Sequence, residues 1–162
     1  MSQPDGIRPK VHWLGFLACL SFGQANEMKL PPDVQFHSDV GLLLWHPTGV
    51  LTQDRVDDIV AFVAALEILS DGNERRFIDT TLLVAVDLNF RYVFDVALYR
   101  RLTRADCPGI KSAFLIADSS FAHYFKLHAV LTDHSSLQVR LFEERELAAK
   151  WLDVPAELLA VT

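Results

Sequence analysis

The stretch RRFIDTTLLVAVDLNFRYVFDVALYRRLTR, residues 75–104, decides the fold of this chain. It begins with an apolar strand, RRFID (75–79), whose polar end at Asp79 and Thr80 is typical of a connection from a strand to a helix. A helix follows Asp87, because that carboxylate suits the free N–H groups and the positive dipole end of a first helical turn. The pattern therefore predicts a strand, a loop and a long helix, with Asp79, Thr80 and Asp87 as the polar candidates of the loop.

The helix after Asp87 is apolar on two sides. At the 3.6-residue period one face consists of six apolar residues: Phe90, Val93, Phe94, Ala97, Leu98 and Leu102. A second face consists of three more residues: Tyr92, Val96 and Tyr99. A single sheet covers only one face of a helix, so we expect another helix, a second subunit or a ligand to cover the remaining side.

Strands and helices alternate on both sides of this stretch. Before it, VQFHS (34–38) and GLLLWHPTGVLT (41–52) predict two antiparallel strands, and a helix with an apolar stripe follows from Thr52. After it come, in order, a strand, a helix, a strand and a closing helix: IKSAFLIAD (110–118), SFAHYFKLHAVLTDH (120–134), SLQVRLFEE (136–144) and ERELAAKWL (144–152). This ββαβαβαβα order predicts an α/β fold, a mixed and mostly parallel sheet of about five strands with an opening antiparallel hairpin and four helices.

Length and composition fit one folded domain. The chain has 162 residues, of which 51% are hydrophobic and 22% charged. Its net charge of −6 and the absence of a basic run argue against nucleic acid and anionic membrane surfaces as partners, because phosphate binding needs clustered Lys and Arg. Cys19 and Cys107 lie far apart without a CxxC motif, which indicates neither a zinc site nor a disulfide framework. We therefore expect a reducing compartment, the cytoplasm.

Residues 1–29 are predicted to be an N-terminal extension, and residues 30–162 the folded domain. The short apolar run WLGFLACL (13–20) follows basic residues and precedes small ones, which is the outline of a secretory signal peptide. The run is brief, and Met28 would make a natural start, so we favour a loose extension or a mis-assigned start over a signal. The run is too short to be an integral membrane segment.

Aromatic residues are concentrated on two consecutive helices. Seven rings belong to this set: Phe90, Tyr92, Phe94 and Tyr99 on the first helix, with Phe121, Tyr124 and Phe125 on the second. Core packing explains part of the set, since each ring buries much surface. The others are candidates to line a cleft between the two helices for a small apolar ligand, with the Tyr hydroxyls at its mouth. A homodimer face through Tyr92, Val96 and Tyr99 is the alternative.

Catalytic and metal-binding patterns are missing from the sequence. His123, His128 and His134 are separated by five and six residues, so their side chains point in different directions around a helix, unlike an i, i+4 metal pair. Asp79 and Asp87 have no His, Ser or Lys at the spacing of a base or nucleophile, and strand-end hydrogen bonding and helix capping explain them. We therefore predict no enzymatic activity, no metal and no cofactor.

Three segments carry a family resemblance: RFIDTT (76–81), SAFLIAD (112–118) and VRLFEERELAAKWL (139–152). Together with the order of elements from Val34 to Leu152, they resemble the STAS-like domains of the SpoIIAA-like family, whose fold is related to CRAL-TRIO lipid-binding domains. In partner-switching members of this family, a serine that is phosphorylated follows an aspartate at the start of the helix after the third strand. Here Leu88 follows Asp87, and leucine cannot be phosphorylated.

The resemblance implies a non-enzymatic binding module. It would act through protein–protein interaction or homodimerisation, with the helix over residues 88–104 as the docking surface. The alternative that it implies is a carrier or sensor of a small hydrophobic ligand or lipid, held in the cleft between the aromatic helices.

Overall fold

The computed structural model describes residues 29–69, 74–103 and 108–160. The predictions for residues 1–28, for Cys19 and for Cys107 lie outside these residues. The described chain forms seven strands: β1 (Val34–His37), β2 (Leu42–Trp45), β3 (Gly49–Thr52), β4 (Arg75–Asp79), β5 (Leu83–Asp87), β6 (Ile110–Leu115) and β7 (Leu137–Phe142). It also forms four α-helices, α1 (Gln53–Leu69), α2 (Phe90–Thr103), α3 (Ala122–Thr132) and α4 (Arg145–Leu152), and a closing 3₁₀ helix (Ala156–Leu159).

Five of the strands form the main sheet, in the order β1-β2-β4-β6-β7. The hairpin pair β1–β2 is antiparallel, and the other three pairs are parallel. The predicted α/β fold with a mixed, mostly parallel sheet and four helices is confirmed. None of the helices within the described ranges combines the length and the apolar character that crossing a membrane requires.

Side chains alternate across the main sheet and separate two cores. Leu43 and Ile78 point toward the layer of α1, α2 and α3. Leu44 and Phe77, the neighbours of Leu43 and Ile78 in their strands, point to the opposite side, where they pack with Leu152 of α4. The period of two residues in a strand therefore explains why α4 covers one face and the three crossover helices cover the other.

A second, two-stranded parallel sheet formed by β3 and β5 was not predicted. Its first strand belongs to the segment GLLLWHPTGVLT, which we expected to be one strand interrupted at His46 and Pro47 and which is instead two strands. Its second strand, LVAVD (83–87), lies where a loop was predicted. Gly49 begins β3 at a φ of +68°, a left-handed conformation that favours glycine, and its N–H donates to the carbonyl of Leu82.

The start of α2 also differs from the prediction. Asp87 ends β5 and does not cap the helix, which begins at Phe90. The side-chain oxygen of Asn89 accepts a hydrogen bond from the Tyr92 N–H at 2.8 Å, which is the contact of an N-cap. Both Asn and Asp favour this position, so the residue type did not distinguish the two sites.

The burial of α2 reverses part of the expected pattern. Its buried residues are Val93, Ala97 and Arg100. Four of the six residues assigned to the core-facing side are exposed: Phe90, Phe94, Leu98 and Leu102. A period of 3.6 residues permits either neighbouring face of this helix to point inward, and the face that includes the charged Arg100 is the one that does.

Candidate functional site

A cleft of about 130 Å³ lies against the inner face of the main sheet. Its walls are apolar residues of α1, α2, α3 and the sheet, such as Val60, Val96, Phe125 and Trp45. The helices α2 and α3 pack closely against each other, and residues of α1, α2 and α3 all line the open space. The volume is comparable to the cavity of roughly 150 Å³ that binds benzene in an engineered protein.

One end of this cleft is polar. Arg76 of β4 and Arg100 of α2 both line it, and each donates a hydrogen bond to the same oxygen, Oε1 of Glu67 on α1. Arg76 also contacts Glu74 at 3.4 Å. We call Glu67, Glu74, Arg76 and Arg100 the polar cluster. Its side chains are almost entirely buried, so this is a set of paired charges within a core.

Electrostatics keep the Glu67 carboxyl ionised. Burial acts to raise the pKa of the Glu67 carboxyl, but the positive charges of Arg76 and Arg100 outweigh burial and hold the pKa below its ordinary value. Burial lowers the pKa of Arg76, whereas Glu67 and Glu74 act to raise it. The Nε atom of Arg76 is buried and has no hydrogen-bond partner within the part of the chain that the structure describes. The cluster thus has a donor left over inside the protein.

Two further polar residues line the cleft, Ser112 and His128. Ser112 lies beside Arg76 in the register of β4 and β6, so their side chains share the inner face of the sheet. Burial, with the charge of Arg100 as a second cause, lowers the pKa of His128 to about 4. His128 is therefore uncharged at neutral pH and presents one N–H donor and one acceptor nitrogen.

Tyr92 joins α2 to α1 at a second point. Its hydroxyl lies 2.5 Å from the Asp57 carboxylate and 3.0 Å from the carbonyl oxygen of Gln53. Burial, reinforced by the neighbouring Asp57, raises the pKa of the Tyr92 hydroxyl. The hydroxyl therefore keeps its proton and donates a hydrogen bond to the Asp57 carboxylate. Two polar contacts, Tyr92–Asp57 and Arg100–Glu67, therefore hold α1 and α2 together on either side of an apolar stretch of the cleft.

The aromatic residues predicted as a binding set fall into two groups. Tyr92, Val96, Tyr124 and Phe125 line the cleft together. The other four do not: Phe90, Phe94, Tyr99 and Phe121. Phe121 is part of the buried core beside α3, and Tyr99 is half-buried.

The exposed members belong to a stripe along the outside of α2. It consists of Phe90, Phe94, Leu98 and Leu102, which are 57%, 43%, 42% and 67% exposed. We call these four residues the outer stripe. The ring centroid of Phe90 lies 5.5 Å from that of Tyr124 and 5.5 Å from that of His123. Four large apolar side chains spaced four residues apart form a continuous patch of the kind that marks interaction surfaces.

Asp79 and Thr80 lie apart from the cleft, at the carboxyl end of the main sheet. Asp79 is buried and accepts hydrogen bonds from the Thr81 N–H at 2.9 Å and from Arg145 at 3.1 Å. Burial acts to raise its pKa, but His46, 3.7 Å away, and these two donors outweigh burial and hold the pKa well below its ordinary value. The Thr80 hydroxyl donates to the carbonyl of Leu115 at 2.7 Å. Both residues tie strand ends together, as strand-end polar residues do.

The histidines form no metal site in the described residues, where no group of three or more His, Cys, Asp or Glu side chains is close enough to hold an ion. His128 points into the cleft, while His123 and His134 are exposed. The predicted divergence of these three side chains agrees with that arrangement.

The sequence prediction missed the polar cluster. One signal was available, because Arg76 alternates with Phe77 in a buried strand and so had to face one of the two cores. Glu67 is likewise the one charged residue in the apolar segment VAALEIL (63–69). A charge inside an apolar element is rarely buried unless it is paired, so such residues indicate a buried ion pair.

Comparison with known proteins gives little beyond the fold. No protein-family model matches the chain, and no curated protein matches it. Among solved structures, the chain is similar to an uncharacterised protein of the DUF3478 family from Shewanella loihica PV-4, which is described as having a SpoIIAA-like fold. The identity is 17% and the TM-score 0.44, over 74% of this chain and 90% of the other. That match agrees with the SpoIIAA-like resemblance of the sequence, and at this score it adds no argument about the site.

Proposed function

We propose that this protein is a binding module, not an enzyme, and that it holds a small hydrophobic molecule in the cleft between α1 and α2. The observation that carries this proposal is a cleft of about 130 Å³ with apolar walls, which the protein's own side chains do not fill. Protein interiors are packed as densely as organic crystals, and voids larger than a water molecule are few. Water in this cleft would find few partners along the apolar walls, so an apolar molecule that displaces it is favoured.

The first test is native mass spectrometry of the protein purified from its own host. We expect a retained small-molecule adduct, which solvent extraction removes. Val96→Phe places a ring into the cleft and should abolish the adduct. Val130→Phe makes the same change at an exposed position of α3 and should retain it. Thermal unfolding of both variants verifies that they are folded.

A second measurement covers the case in which purification strips the ligand. Isopropylbenzene, a small apolar probe, is titrated while the NMR signals of the methyl groups of Val60 and Val96 are recorded. We expect saturable shifts in the wild-type protein and in Val130→Phe, and none in Val96→Phe. If no adduct is retained and isopropylbenzene causes no shift, the proposal is wrong.

The outer stripe favours a second candidate function, self-association along α2. Its residues are spaced four apart, so in an antiparallel pair related by two-fold symmetry Phe90 would face Leu102 of the second copy, and Phe94 would face Leu98. Such a pairing would cover the apolar side chains that the monomer leaves exposed.

Sedimentation velocity tests this second candidate. We expect a dimer for the wild-type protein and a monomer for the double variant Phe94→Glu, Leu98→Glu. Leu147→Glu is the control, because Leu147 is an equally exposed leucine on α4, on the other side of the sheet. A wild-type protein that stays monomeric at high micromolar concentration would rule out self-association and leave the ligand proposal untouched.

A further inference from the structure

The polar end of the cleft has hydrogen-bond donors that its contacts with carboxylates leave unused. Each guanidinium has five N–H donors. In both Arg76 and Arg100, the contacts with carboxylates use one nitrogen, Nη2. The Nε–H of Arg76 is buried without a partner in the described chain. The Ser112 hydroxyl and the His128 imidazole add donors on the same side of the cleft. An occupant that supplies an acceptor here would satisfy a group that the protein leaves unsatisfied.

Among the described residues, the charges of the polar cluster are balanced. Arg76 and Arg100 carry two positive charges, and Glu67 and Glu74 carry two negative ones. Glu67 occupies the position between the two guanidiniums that the carboxylate of a ligand would otherwise take. A further anion would be an uncompensated charge in a poorly hydrated site, which is costly.

We propose that the ligand of the cleft carries an uncharged oxygen acceptor, such as the carbonyl of a ketone, ester or amide, and that this oxygen accepts hydrogen bonds from Arg76 and Ser112. The inference rests on the proposed function and specifies the ligand class of the same cleft. The apolar body of the ligand lies along Val60 and Val96, and its acceptor points toward β4 and β6. His128, neutral at neutral pH, donates or accepts without adding charge.

Three aromatic probes of similar size test the inference, and the cleft is large enough for a ring. Acetophenone carries a neutral ketone oxygen, benzoate carries a negatively charged carboxylate, and isopropylbenzene carries no hydrogen-bond acceptor. Affinities are measured by NMR titration at neutral pH. We expect acetophenone to bind about tenfold more tightly than isopropylbenzene, the size of effect that one hydrogen bond gives, and more tightly than benzoate, whose buried charge is uncompensated.

Two variants locate the acceptor. Arg76→Lys keeps the positive charge and the balance of the polar cluster but removes Nε–H, and Ser112→Ala removes a hydroxyl with almost no change in volume. Both should weaken acetophenone several-fold to about tenfold and leave the affinity for isopropylbenzene unchanged within a factor of about two. Ser112→Ala remains informative if Arg76→Lys fails to fold.

The outcomes separate this inference from the proposed function. Binding of all three probes with no response to either variant would overturn the inference and keep the hydrophobic cleft. Tightest binding of benzoate would overturn it in favour of an anion site. Absence of binding for every probe would refute the proposed function itself and the inference with it.

Discussion

Replacing Glu67 by Gln is expected to destabilise the fold strongly, because Glu67 is the only residue seen to contact both buried arginines within the described chain. Gln has nearly the same shape, so the change removes a charge and creates no cavity. Arg100 then loses its carboxylate, and Arg76 keeps only the 3.4 Å contact with Glu74. Removing one partner of a buried ion pair costs about 3–5 kcal/mol, and because the amide oxygen of Gln still accepts one hydrogen bond we expect about 3 kcal/mol.

Urea denaturation followed by the fluorescence of the tryptophans measures this loss. At a slope of about 1–3 kcal/mol per molar urea, a loss of about 3 kcal/mol lowers the midpoint by roughly 1–3 M. The matched control is Arg91→Gln, which breaks an exposed i, i+4 pair with Asp95, whose side chains are 83% and 52% exposed. That change should cost less than about 0.5 kcal/mol.

A third variant separates the loss of charge from the loss of packing. Replacing the four residues of the polar cluster together, as Glu67→Leu, Glu74→Leu, Arg76→Met and Arg100→Met, leaves none of its charges uncompensated. Substitutions of this kind are often neutral or stabilising, so we expect stability close to that of the wild-type protein. If Glu67→Gln costs less than about 1 kcal/mol, or if the fourfold variant is as unstable as the single one, the reasoning about buried paired charges is refuted.

Three more changes have defined outcomes. In the wild-type protein, the folded-state pKa of His128, about 4, lies below the unfolded value of 6.5, so the unfolded state binds the proton first as the pH falls. The wild-type protein should therefore lose up to about 3 kcal/mol of stability from pH 6.5 to 4. His128→Phe should abolish this loss. The exposed His134→Asn should keep that slope when both are followed by urea denaturation at several pH values. Tyr92→Phe should cost about 1 kcal/mol, since Asp57 stays partly hydrated, and should speed amide hydrogen exchange at the start of α2. Asp79→Asn should cost about 2 kcal/mol at neutral pH and flatten the dependence of stability on pH below about pH 4. A carboxyl whose pKa is lowered in the folded state stabilises the fold above its unfolded pKa and loses that contribution in acid. Thermal melts that show the same loss of stability in acid for wild type and variant would contradict this role of Asp79.

The fold was predictable because its main strands are marked in the sequence by alternating apolar residues or by polar residues at their ends. RRFID (75–79) and IKSAFLIAD (110–118) both end in a polar residue; the first strand has the predicted bounds, and the second ends at Leu115, three residues earlier than predicted. The position of the segment LVAVD after Thr80 and Thr81 predicts a strand-to-helix connection, whereas the segment is the strand β5. Its pairing with β3 depends on a contact between residues more than 30 apart, which no local pattern reveals.

The site was predictable only in its apolar part. Aromatic and β-branched residues on α2 and α3 indicated an uncovered surface, and Tyr92, Val96, Tyr124 and Phe125 do meet at one cleft. The periodicity of α2 did not reveal that Arg100 faces inward, because a charged residue is normally assigned to the solvent side. Its burial depends on Glu67, a residue of another helix, and pairing between helices is fixed by tertiary structure.

The ladder between β3 and β5 restricts how the cleft can widen. Thr52 leads directly from β3 into α1, and Leu88 and Asn89 lead from β5 into α2, so the first turns of both helices are anchored side by side. Any widening must then pivot about this anchor, with the largest displacement at the far ends of the helices, where Glu67 and Arg100 meet. A guest that enters by widening the cleft therefore has to break a buried ion pair.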